Sequence, residues 1–193
     1  IAYLAAMTQP AVALVNNAQR EHLEFMSTVE AVARENGSVI ESLPDTGVAI
    51  FPADDAFCNL WRRMAGKRTS WTFAVEPFGN VSAPPDVSCK TPVWQDGAWR
   101  VKAVTPAGVQ DYSLAVAGLH NVKNSLAAIT CALAAGVPLG VIGQGPESFT
   151  PVKGRSRALS LQANGHTCTV VNDAYNANPD SMRAAIDVLA GLP

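Results

Sequence analysis

Two short, uninterrupted apolar runs, residues 11–15 (AVALV) and 47–51 (GVAIF), constrain the fold of this chain more than any other feature. Neither alternates apolar with polar residues. Each therefore suits a strand covered on both faces, as in a parallel sheet flanked by helices. Asn16-Asn17 closes the first run. Between the two runs Phe25, Val29 and Val32 recur at helical spacing over residues 24–33, and Asn36-Gly37 reads as a helix stop. Residues 53–64 read as a second helix, with Asp54 or Asp55 suited to its first turn. Strand, helix, strand, helix at these lengths predicts βαβ units and places the chain in the α/β class.

The texture changes over residues 69–116. Trp71, Phe73 and Val75 alternate with polar or small residues, as do Tyr112, Leu114 and Val116, and Gln95-Asp96-Gly97-Ala98 between Val93-Trp94 and Trp99-Arg100-Val101 is a hairpin signal. This stretch reads as an antiparallel insert or a sheet extension, with little contact to the chemistry. Residues 119–135 form the clearest helix, rich in Ala and Leu and closed by Gly136 before Pro138. Residues 143–151 (GQGPESFTP) have linker composition, so a boundary falls near Phe149, between units 1–149 and 150–193. Strand-like runs at 158–162 and 167–171 follow, with Asn164-Gly165 as the turn. A helix over 180–190 is capped by Asn178, with Pro179 at its first position. Its expected buried stripe is Met182, Ala185, Ile186 and Leu189.

Composition removes several functions. With 48% hydrophobic residues and a formal net charge of −2, the chain has a core to bury and no basic footprint for nucleic acid or an anionic membrane. No apolar run approaches the roughly 18–20 residues that span a bilayer. The four cysteines show neither zinc spacing nor the density of a disulfide scaffold. Cys131 reads as a buried small hydrophobe, and a reducing, cytoplasmic setting is the expectation. No Gly-x-x-x-x-Gly-Lys-Ser/Thr loop, Gly-x-Ser-x-Gly elbow or HExxH occurs.

The candidate chemistry gathers at four places. His22, a few residues beyond the first strand, stands where open α/β sheets place ligands; its imidazole suits a metal or a phosphate, or is a polar loop histidine. Asn121 and Asn124 share one face of a helix start, where their amides suit a purine edge or act as caps. Lys123 turns about 100° per residue step from that face and reads as solvated. An arginine of Lys153-Gly154-Arg155-Ser156-Arg157 could clamp a phosphate or simply be exposed. The run from Asn172 through Asp173, Tyr175 and Asn176 to Asn178, between strand and helix, fits a ligand loop as well as turn and cap chemistry.

Taken in order, these segments resemble the Mur ligase family. Val15-Asn16-Asn17-Ala18-Gln19-Arg20-Glu21-His22 resembles its strand-end Asn followed by a His. Gly118-Leu119-His120-Asn121-Val122-Lys123-Asn124 resembles its G-x-H-N-x-x-N helix start, and Pro151-Val152-Lys153-Gly154-Arg155 its domain-opening Arg segment. Asp173-Ala174-Tyr175-Asn176-Ala177-Asn178-Pro179-Asp180-Ser181-Met182 is similar to the branch that joins D-alanyl-D-alanine to UDP-N-acetylmuramoyl-tripeptide. The fold this implies is the second part of the family's central domain, a parallel sheet with flanking helices and an antiparallel insert, followed by the beginning of a Rossmann-like C-terminal domain.

The implied activity is an ATP- and magnesium-dependent amide ligation through an acyl phosphate, in peptidoglycan synthesis. By motif position, Asn17, His22 and Arg155 would be catalytic, with His22 on a magnesium ion. Asn121, Asn124, Arg155, Asp173 and Tyr175 would bind nucleotide, and Asn176 and Asn178 substrate. Where some family members carry a metal-bridging carbamylated lysine, this chain has Asn36, with Arg34 and Glu35 beside it. The family's P-loop, sugar-nucleotide domain and metal-binding Glu would precede Ile1, and most of the C-terminal domain would follow Pro193. The expectation is a fragment that is inactive alone. A folate polyglutamate-type or other Mur ligase, and a non-catalytic nucleotide-binding module, are the alternatives.

Overall fold

The computed structural model describes residues 1–190 except His22, Asn80, Lys153, Arg155, Ser156, Asn164, Asn176 and Ala177, with backbone alone at 157–160, 167 and 169. After helix α1 (Ala2–Thr8), strand β1 (Val12–Leu14) leads through α2 (Leu23–Met26) and α3 (Val29–Glu41) to β2 (Val48–Pro52). Helix α4 (Cys58–Ala65) then leads to β3 (Thr69–Val75) and β4 (Val87–Cys89). These four strands are parallel neighbours in the order β1-β2-β3-β4. Strands β5 (Val93–Gln95), β6 (Ala98–Thr105) and β7 (Gly108–Leu114) extend the sheet, β4 and β6 pairing antiparallel. Helix α5 (Leu119–Ala134) and two short helical turns, α6 (Leu139–Ile142) and α7 (Gln144–Ser148), follow. The chain closes with an antiparallel pair, β8 (Arg157–Ala163) and β9 (His166–Asn172), and helix α8 (Pro179–Ala190).

The sheet is buried on both faces, as the unbroken apolar runs predict. Ile50 and Phe73 belong to one core cluster with Val122, Leu126 and Ile129 of α5. Their neighbours Ala49 and Phe51 belong to the other, with Ala33 and Ile40 of α3 and Trp61 of α4. Successive strand residues point to opposite faces, so one five-residue strand ties together both layers. Trp61 is fully buried and donates its indole N–H to the Ala33 carbonyl at 2.9 Å, fixing α4 to α3.

Several sequence expectations are corrected. The Asn36-Gly37 pair does not stop a helix; α3 runs through it to Glu41. A Cβ at Gly37 would stand 2.6 Å from the Met64 sulfur and 2.9 Å from the Trp61 ring, so this glycine serves helix packing. The helix expected over 24–33 is broken at Ser27, with φ of 64°, and Thr28 caps a new start through Ala31 N–H at 3.1 Å. Phe25 is consequently exposed. Of the two readings of residues 69–116, the sheet extension holds and the wholly antiparallel insert does not, since β3 and β4 continue the parallel sheet and β6 joins it antiparallel; Phe73 and Val75 face its buried side.

Another correction concerns α8. Met182, Ile186 and Leu189 are 50–62% exposed, and the buried residue is Val188. The helix meets α5 with its other side, at Gly118. The linker-like segment 143–151 also contains α7. The hairpin between β5 and β6 forms as expected, with Asp96 and Gly97 both at positive φ (52° and 75°), a twist suited to a two-residue turn. The cysteines are free, Cys58 and Cys89 buried and Cys131 packed against the core's edge. Among the described residues no helix is long and apolar enough to cross a membrane.

Replacing Trp61 with alanine removes the largest buried side chain and an interhelical hydrogen bond together. The expected loss is about 3–5 kcal/mol of stability, read as a lower denaturation midpoint in urea.

Candidate functional site

The segment that follows β1, the start of α5 and the loop before α8 converge on one cavity of about 450 Å³. Asn16, Asn17, His120, Asn121, Asn124 and Asp173 are among its lining residues. Parallel pairing of β1 with β2 puts their carboxyl ends side by side, which is where open α/β sheets hold ligands.

The amides form an ordered series. Asn16 donates from Nδ2 to Asn124 Oδ1 at 2.9 Å, Asn124 donates to Asn121 Oδ1 at 3.3 Å, and Asn121 donates to the Ala117 carbonyl at 2.7 Å. Asn121 and Asn124 thus share a helix face as their three-residue spacing predicts. Asn17 lines the cavity, and its backbone carbonyl accepts from the Asn36 side chain at 3.2 Å. Asn36, where the resemblance places a lysine in other family members, therefore supports the strand-end loop from α3.

Lys123 departs from the solvated role expected of it. Its Nζ lies 2.6 Å from Asp54 Oδ1, and the two side chains are only 30% and 22% exposed. The start of α5 sits over the end of β2, so a residue turned away from the Asn121 face meets that strand's loop rather than water. Asp55 beside it accepts from the Phe57 N–H at 2.8 Å. Burial raises the Asp55 carboxyl, against backbone hydrogen bonds from Phe57 and Ala18 that lower it. Neither aspartate lies within α4, which begins at Cys58.

On the far side, Asp173 is half-buried and lines the cavity, while Tyr175 is 69% exposed. The Tyr175 N–H donates to the Gly154 carbonyl at 3.2 Å, which brings Gly154 against the loop after β9. Gly154 sits at φ of 81°, a region glycine enters without strain. Asn178 lines the cavity, with its Oδ1 engaged by the N–H groups of Asp180 (2.9 Å) and Ser181 (2.8 Å) as the cap of α8. His22, Arg155 and Asn176 lie outside the described residues. Among the described residues no three His, Cys, Asp or Glu side chains group as metal ligands.

Two contacts across the cleft escaped sequence reasoning. Arg20 reaches Asp180 with Nη2 at 2.5 Å, a pair that holds the Asp180 carboxyl down at about 2. At the other end Val188 seats on Gly118, where a Cβ would stand 2.7 Å from a Val188 methyl and 2.6 Å from the His120 ring. The Trp94–Trp99 pair, edge-on at 5.4 Å, lines a neighbouring 310 Å³ cavity with His120 and Val188. The β5–β6 hairpin is thus closer to the site than its sequence suggests. Asn16 was the missed member of the amide series. Strand alternation carried past Leu14 sends Asn16 and Asn17 to opposite sides, and the doublet was the available signal.

A family model described as the Mur ligase middle domain matches residues 2–132. The chain belongs to the Mur ligase family. Over 193 residues it is 33% identical to the UDP-N-acetylmuramoyl-tripeptide–D-alanyl-D-alanine ligase of Escherichia coli K12, covering all of this chain and 41% of that protein. The same-named ligase of Haemophilus influenzae is 32% identical over 99% of this chain and 39% of its own length. A crystal structure of MurF from Acinetobacter baumannii superposes with a TM-score of 0.88 at 32% identity, covering this whole chain and 40% of that one. The chain thus spans about two fifths of the length of the Mur ligases it matches.

Burial lowers the His120 imidazole below its usual 6.5, with Asp173 pulling the other way. A histidine held neutral in the fold stabilises it above the unfolded value, and that contribution is lost as pH falls below about 6.5. The melting temperature should therefore drop between pH 7 and pH 5, and His120→Gln should flatten that slope in a pH series of thermal melts.

Proposed function

We propose that this Mur ligase chain forms the nucleotide-facing part of an enzyme that joins D-alanyl-D-alanine to UDP-N-acetylmuramoyl-tripeptide in peptidoglycan synthesis. The carrying observation is the single cavity that collects Asn16, Asn17, Asn121 and Asn124 from one side and Asp173 from the other. The named relatives support the same substrates. The boundary between the two units is placed between residues 149 and 150.

In this reading ATP phosphorylates the tripeptide's terminal carboxylate, forming a P–O bond as the β–γ bridge breaks and ADP leaves. The amine of D-alanyl-D-alanine then attacks the acyl carbon, and the tetrahedral intermediate expels phosphate while the nitrogen loses its proton. The amides of Asn121 and Asn124 present both donors and acceptors to the base. The Asp173 carboxylate accepts from the ribose hydroxyls, Tyr175 flanks the adenosine, and Arg155 holds phosphate oxygens in its planar fork. Asn17 orients the strand-end loop, and Asn176 and Asn178 border the substrate side. Magnesium, when bound, offsets charge on the phosphoryl oxygens, and His22 is the residue of this chain assigned to it. The setting proposed is the cytoplasm.

A cleft built this way binds nucleotide before it can turn it over. Asp173→Ala should weaken ADP binding to this chain by about 10- to 100-fold, the loss of charge-assisted hydrogen bonds, as measured by calorimetry. In the longer parent enzyme, phosphate release should require D-alanyl-D-alanine, and the 193-residue chain alone should release none. ADP binding that is indifferent to Asp173→Ala would sink the assignment of this cleft.

A further inference from the structure

Arg20 and Asp180 are 160 residues apart in sequence and meet across the mouth of the cleft. The Arg20 Nε lies 3.2 and 3.1 Å from the two carboxylate oxygens, its Nη2 lies 2.5 Å from Oδ1, and its backbone N–H donates to Oδ2 at 3.1 Å. A lone exposed ion pair contributes little. This one differs in geometry, since a guanidinium fork and a main-chain donor close on one carboxylate. Arg20 follows the Asn16-Asn17 loop by three residues, and Asp180 sits in the first turn of α8. Any change in their distance therefore moves the amide-lined wall relative to α8.

The pair has a counterpart at the opposite end of the contact. There Val188 is buried against Gly118, with no room for a Cβ between them. Helix α8 is thus attached to the central sheet at a packed apolar point and at a charged rim point. The cavity with Asp173 is lined by Asp180 of the charged point, and by His120 two residues beyond Gly118. The apolar point is indifferent to salt, whereas the rim point is 46% and 26% exposed and open to screening.

We propose that Arg20 and Asp180 are a positioning pair that sets the width of the cleft and, through it, nucleotide affinity. The affinity half rests on the cleft being a nucleotide site; the width half does not. With the pair broken, α8 pivots about Val188 and only part of the population stays closed, so apparent affinity falls by the closed fraction.

The test has two arms on the 193-residue chain. In the first, spin labels at exposed Cys168 and at an Arg63→Cys substitution, with Cys131→Ser, report the distance between α4 and the β8–β9 unit by pulsed electron resonance. Asp180→Asn and Arg20→Ala should each broaden that distribution, as should 0.5 M salt in the unaltered pair, whereas Arg20→Lys should broaden it less. In the second arm, ADP titration should give a dissociation constant raised about fivefold by either substitution, the value for a closed fraction near one fifth. The double variant should be no weaker than the single ones, and conservative Arg20→Lys should recover part of the loss. Unchanged distance distributions would overturn the proposal. So would broadened distributions with unaltered ADP affinity. A chain that binds no ADP but still broadens on Asp180→Asn removes the nucleotide reading and leaves the positioning pair standing.

Discussion

Coverage of the parallel strands on both faces is the constraint from which the rest of this molecule follows. Strand β2 contributes Ile50 to the α5 side and Phe51 to the α3–α4 side, both fully buried. At roughly 25 cal/mol per Å² of apolar surface removed from water, neither layer can be given up. With both layers in place, polar groups can gather only where strands end. The strand-end loop, the α5 start and the loop before α8 meet at one such end.

The polar cluster is held from several directions at once. Asn36 reaches it from α3, Lys123 ties α5 to the loop after β2, and Asn16 ties that helix back to the end of β1. Each contact is modest alone, about 1 kcal/mol for a typical hydrogen bond. Their common effect is geometric, since the strand-end loop and the start of α5, which both line the cavity, are bonded to each other and braced from α3 and the loop after β2. A site with such internal support is held in place without the ligand's help.

Much of the architecture was legible in the residues. The two apolar runs announced the parallel strands, Gly136 closed α5 as expected, and Asn178 with Pro179 marked the start of α8. The motif residues Asn17, Asn121, Asn124 and Asp173 do come to one cavity. What was not legible depended on partners distant in sequence. Gly37 read as a stop because its helix-packing role lies with Met64 and Trp61. The α8 stripe was misassigned because periodicity identifies an apolar face but not which side the neighbour takes. Lys123 looked like a solvated cation since nothing local names Asp54 as its partner, and nothing near Arg20 in sequence points to Asp180.

The amide series carries a further consequence. An asparagine side chain has a donor end and an acceptor end, and turning it over exchanges them. The Ala117 carbonyl can only accept, so it obliges Asn121 to offer nitrogen, which leaves an oxygen for Asn124, which in turn leaves an oxygen for Asn16. One main-chain atom thus dictates the polarity of three side chains in a row, as a single terminus dictates the sense of a strand. A ligand arriving at this wall meets a pattern of donors and acceptors whose direction was written at the first residue before α5's glycine cap, and it cannot reverse one amide without reversing them all.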